Sequence, residues 1–135
     1  MFADQLTQAQ RQAVLDLAVN LAAADNEVSP EEEQYLNDFS RAFGLTYSLE
    51  NTDINISACL EKLDTKRARI ITLQELIKLS YKDGHFGKEE QDKVFMLAQK
   101  MGLNNTELLI RIEKWVRSGF DWIYEGQQII DESND

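Results

Sequence analysis

A single proline and six glycines among 135 residues leave long stretches with nothing to interrupt a helix. One cysteine, Cys59, excludes an internal disulfide and a thiolate zinc cluster, and a place in the core is expected for it. One histidine, His85, excludes a histidine-rich zinc site, and as a lone loop residue it is expected to face solvent. No apolar run approaches the roughly 18 residues that span a bilayer, so no membrane insertion is expected. The opening "MFADQLTQAQRQ" has no basic segment followed by an apolar stretch and a small-residue cleavage site, which points to a cytoplasmic location. Positive charge is also scarce: 14 Lys and Arg stand against 24 Asp and Glu, for a net charge of -10. That field repels phosphate backbones, so nucleic acid is not an expected partner, whereas cations, basic peptides and basic protein surfaces are. Neither a phosphate-binding G-x-x-x-x-G-K-[ST] loop nor a G-x-G-x-x-G turn is present.

Apolar residues recur at spacings of three and four, which predicts an all-α fold of about seven helices in one domain over 1–135. Thr7 with Gln10 forms a capping box ahead of a helix whose inner face carries Val14, Leu17, Ala18 and Leu21. Ser29, Pro30 and Glu32 announce a second helix, with Leu36, Phe39 and Phe43 on its apolar stripe and Gly44 as its stop. The polar stretch "TYSLENTDIN" reads as a linker before a short helix in "ISACLEKL". "KRARIITLQELIKLSY", opened by Asp64 or Thr65, should be the most buried helix. A helix over about 88–101 ends at Gly102, another begins at Asn104, and a last one is expected to start near Ser118 or Gly119. Trp115, Trp122, Met96 and Met101 are expected in the core.

Sliding the sequence by 58 residues pairs Leu15 with Leu73, Val19 with Ile77, Asp25 with Asp83, Val28 with Phe86, Glu32 with Glu90, Leu36 with Val94 and Gly44 with Gly102. A gapless register of this length predicts two duplicated helical hairpins. Repeat one covers about 8–45, a linker 46–63, repeat two about 64–103, and C-terminal helices 104–131.

The two junctions, "AAADNEVSPEEEQYL" and "SYKDGHFGKEEQDKV", carry the candidate chemistry. Glu31, Glu32, Glu89 and Glu90 fall in first helical turns, where the helix dipole favours anions. Asp25 and Asp83 lie at helix C-termini, where the dipole disfavours them, and need another reason. One is an Asx-type bond that locks the loop; the other is that both, with Glu32 and Glu90, offer oxygens to a divalent cation. An EF-hand is excluded, because Pro30 or Lys88 would stand where glycine must turn and Leu36 or Val94 where the bidentate glutamate belongs.

Both junctions resemble the A-D-G-x-[apolar]-x-x-x-E signature of the tellurite-resistance TerB-like family, with Asn26 in place of the first glycine and His85 in place of a small or acidic residue. The resemblance implies an all-α bundle with an internal duplication. It also implies a cytoplasmic module of tellurite resistance and related stress responses, and no known reaction. It further implies metal binding through Asp25, Glu32, Asp83 and Glu90. Oxygen-only ligands favour weakly held calcium or magnesium. The expected function is therefore a non-catalytic module with an acidic interaction surface; the alternative is a hydrolase-type enzyme using the paired carboxylates with a metal.

Overall fold

A computed structural model describes residues 2–24, 27–50, 53–81 and 86–132. Among these are a 3-10 turn at Ala3–Gln5 and six α-helices: α1 Gln8–Ala22, α2 Pro30–Phe43, α3 Ile56–Lys62, α4 Lys66–Ser80, α5 Lys88–Lys100 and α6 Thr106–Asp131. No strand occurs among the described residues. The fold is all-α, as the spacing predicts.

Helix starts follow local chemistry. Thr7 and Ser29 close full capping boxes with Gln10 and Glu32, Pro30 takes the first position of α2, and Thr65 accepts from the Ala68 N–H at the start of α4. Gly44 and Gly102 have φ of 63° and 76°, the left-handed region that costs other residues about 1–2 kcal/mol. Just beyond them, Leu45 N–H donates to Ser40 O at 2.9 Å and Leu103 N–H to Ala98 O at 2.8 Å. Both are the six-to-one bond that ends a helix sharply.

The 58-residue offset recurs in the element boundaries, since Gln8–Ala22 corresponds to Lys66–Ser80. It recurs again in a pair of arginines. The Arg11 guanidinium donates to Ala3 O and Asp4 O, both at 2.9 Å, and lies 4.5 Å above the Phe43 ring. Arg69 donates to Leu63 O at 2.6 Å, Leu60 O at 3.2 Å and Met101 O at 2.8 Å. Each arginine therefore satisfies carbonyls at the end of the preceding helical turn and ties it to the end of a hairpin.

Helices α1 and α4 form the centre: α2, α3 and α4 pack on α1, while α5 and α6 pack on α4. Leu15, Leu17, Leu73, Leu76 and Ile77 are fully buried between them, each contributing about 1.5–3 kcal/mol by burial. Helix α4 has nine buried residues against eight in α1, matching the expectation that it is the most buried. Its buried hydroxyls bond back one turn, Thr72 to Ala68 O and Ser80 to Leu76 O. Cys59 is buried, and burial followed by the Asp16 charge raises its thiol pKa.

Two expectations are corrected. Residues 106–131 form one helix, without a break at Ser118 or Gly119: the Ser118 hydroxyl returns to Lys114 O at 2.8 Å, and one glycine weakens a helix without ending it. Trp115, Trp122 and Met96 are exposed, by 38%, 77% and 46%. Only the first half of α6 lies on α4, through Leu109, Ile112 and Val116, and every residue from Asp121 to Glu132 is exposed. Periodicity marks an apolar face but not whether another element reaches it. Met101, by contrast, is buried.

Candidate functional site

The starts of α1 and α4 lie side by side. The Gln10 side-chain amide donates to Lys62 O at 3.2 Å and to Asp64 Oδ1 at 3.4 Å, and Arg67 donates to Gln5 Oε1. Both helices have 15 residues, so they run to a common far end of the bundle. At that end Val28 is half-buried, Phe86 is buried 5.7 Å from the Tyr81 ring, and Gln91 Nε2 donates to Phe86 O at 2.9 Å. These contacts seat the apolar anchors of both junctions.

Of the four candidate ligands, Asp25 and Asp83 lie outside the described residues, as does His85. Glu32 is engaged in helix capping: its Oε1 accepts from the Ser29 N–H at 3.0 Å, while its own N–H donates to Ser29 Oγ at 3.1 Å. Glu90 folds back over its own helix start, where a Cβ added at Gly87 would meet its carboxylate. The two glutamates thus take the same position in their hairpins. Among the described residues, no three His, Cys, Asp or Glu side chains come together as a metal cluster.

A second feature of this end was not expected from the sequence. Glu75, on the core face of α4, is only 3% exposed; it accepts from the Tyr35 hydroxyl of α2 and from Lys78 Nζ at 3.2 Å. Lys78 Nζ also lies 6.0 Å from the Tyr35 ring centre. Burial, then the Glu75 charge and hydrogen bond, raise the Tyr35 pKa well above its ordinary value. A signal was available: Glu75 interrupts an otherwise apolar row, and the 58-residue offset pairs it with fully buried Leu17.

Above Tyr35 and Lys78 opens a groove of about 840 Å³ between the first turns of α2 and the middle of α6. Gln34 and Asp38 border it on one side, Trp115, Trp122 and Ile123 on the other. A smaller polar hollow of about 390 Å³ lies between Asp16 of α1 and the Thr46–Ser48 stretch.

An all-helical domain built around the central pair α1 and α4 is the class this architecture defines among the described residues. The family model for tellurite resistance protein TerB matches residues 1–51, taking in α1, the first junction and α2, and supports a TerB-like family assignment. No curated protein and no solved structure matches the chain. No helix among the described residues is long and apolar enough to cross a membrane.

Proposed function

We propose that this protein is a non-catalytic, cytoplasmic TerB-like module of the tellurite-resistance and stress-response type, which works through its acidic surface and a weak divalent-cation site. The carrying observation is the family match over the first hairpin, whose junction contains Asp25 and Glu32. Support for a shared site comes from the common start of α1 and α4, which brings their far ends to one side of the bundle. Asp25, Glu32, Asp83 and Glu90 would then offer oxygens alone, a donor set suited to calcium or magnesium. Without the cation their like charges repel, so occupancy stabilises the fold by mass action.

The test is the melting temperature in chelator and in millimolar calcium, magnesium or zinc, for wild type and for Asp25→Asn with Asp83→Asn. A rise with calcium or magnesium that the double variant lacks is expected. No shift in wild type, or an equal shift in both, would reduce the four residues to loop locks and helix caps. For the acidic surface, capture of basic proteins should weaken as salt rises, because exposed charges are screened beyond about 8–10 Å. A hydrolytic activity lost in Asp25→Asn with the fold intact would move the reading to a metal hydrolase.

A further inference from the structure

The C-terminal half of α6 continues a helix-pairing pattern beyond the part that packs on α4, and every residue from Asp121 to Glu132 is exposed. Trp115, Trp122 and Ile129 recur every seven residues; Gly119 and Gly126 fall between them; Val116, Ile123 and Ile130 run alongside. A seven-residue apolar repeat is the spacing by which one helix follows another, with bulky knobs entering gaps on the partner. The gaps here are the glycines, and a Cβ added to either meets nothing within 4 Å. Each glycine weakens the helix by about 0.8–1 kcal/mol and packs against nothing in return. Trp122, Ile123 and Ile130 are 77%, 65% and 64% exposed, an unusual load of apolar surface for one arm.

Charge selects the occupant. After Arg117 the arm has no Lys or Arg, while Asp121, Glu125, Asp131 and Glu132 lie along it and Asp38 borders the groove from α2. Glu125 and Glu132 flank the seam at the positions that set partner choice between paired helices. A second copy laid antiparallel would set these glutamates against one another, between chains of net charge -10 each. An anionic bilayer is repelled in the same way.

We propose that the groove between α2 and α6, continued along the arm, is a docking site for a cationic amphipathic helix of a partner protein. Apolar side chains of that helix enter the notches at Gly119 and Gly126, and its Lys or Arg residues flank Glu125 and Glu132. This deepens the acidic-module reading and rests on it.

The test uses the full chain and a synthetic helix of about three heptads, with leucine along one face and lysine on its flanks. Both tryptophans of the protein lie on this face, so their emission reports occupancy directly. A saturable blue shift is expected with the lysine peptide, and none with a glutamate-flanked counterpart. Ile123→Glu with Ile130→Glu makes the protein more acidic while spoiling the seam, and affinity should fall roughly tenfold or more as apolar anchors are lost. Trp122→Gln, read by anisotropy of a labelled peptide, should weaken binding in the same direction and covers the case of a misfolded double variant. Binding by the glutamate variant as tight as wild type, or tighter, overturns the groove and leaves the acidic-surface reading standing. No binding of the lysine peptide at low salt overturns both. Equal binding of the glutamate-flanked peptide overturns the cationic choice. A wild-type dimer abolished by the glutamate variant assigns the face to a second copy, and a blue shift with phosphatidylglycerol vesicles but not with peptide assigns it to lipid; either overturns the proposal.

Discussion

Tyr35→Phe removes one oxygen and leaves the ring packing, so it tests the bond between Tyr35 and the buried Glu75 carboxylate. A hydrogen bond to a charged group contributes about 1.5–3 kcal/mol, against about 0–1 kcal/mol for a solvated surface pair. The higher range applies because Glu75 is 3% exposed and bridges α2 to α4. A chain of this length has a total stability of roughly 7–20 kcal/mol, so the variant stays folded and measurable. The assay is urea unfolding followed by helix circular dichroism, with a lower midpoint and an unchanged slope expected. A loss under about 0.5 kcal/mol would refute the argument, since it would mean that water already serves both groups. Alkaline titration checks it independently. The Tyr35 pKa is raised in the folded state, so its contribution is complete below the unfolded value near 10 and declines as pH rises toward the folded value. Wild type should therefore lose stability more steeply above pH 10 than Tyr35→Phe, in which Tyr47 and Tyr81 still titrate.

Phe39→Ala should cost on the order of 3–5 kcal/mol in the same unfolding assay, because Phe39 is buried between the Tyr35 and Phe43 rings. Gly44→Ala should cost about 1–2 kcal/mol from its positive φ alone, since a Cβ there meets nothing, and a neutral result would mean the end of α2 adopts another turn. Ser29→Ala breaks the capping box of α2 and should lower stability by about 1 kcal/mol, without altering the fold seen by circular dichroism.

The helix starts at Thr7 and Ser29 and the stops at Gly44 and Gly102 were legible in the sequence because they are local events. Thr7 and Ser29 reach only their own first turns, and Gly44 and Gly102 need only their own backbone angles. Also legible was the 58-residue register, which lies within one string. So were the core residues Leu21, Leu36, Phe39, Leu79, Phe86, Val94 and Leu97, all buried, with Val28 half-buried at the rim. The candidate ligands could be named from the junction pattern, but the capping role of Glu32 and the position of Glu90 over Gly87 required coordinates. Other features depended on which elements meet in space. An apolar row on α6 looked the same to periodicity whether or not α4 covered it, so Trp115 and Trp122 were expected inside and lie on the surface. The buried Glu75 went unnoticed in the sequence because its partner Tyr35 stands 40 residues away and only packing brings it there, beside Lys78. Local backbone chemistry and periodicity are short-ranged and were written in the chain; burial, long-range hydrogen bonds and the bare groove arise between elements, and only the packed structure decided them.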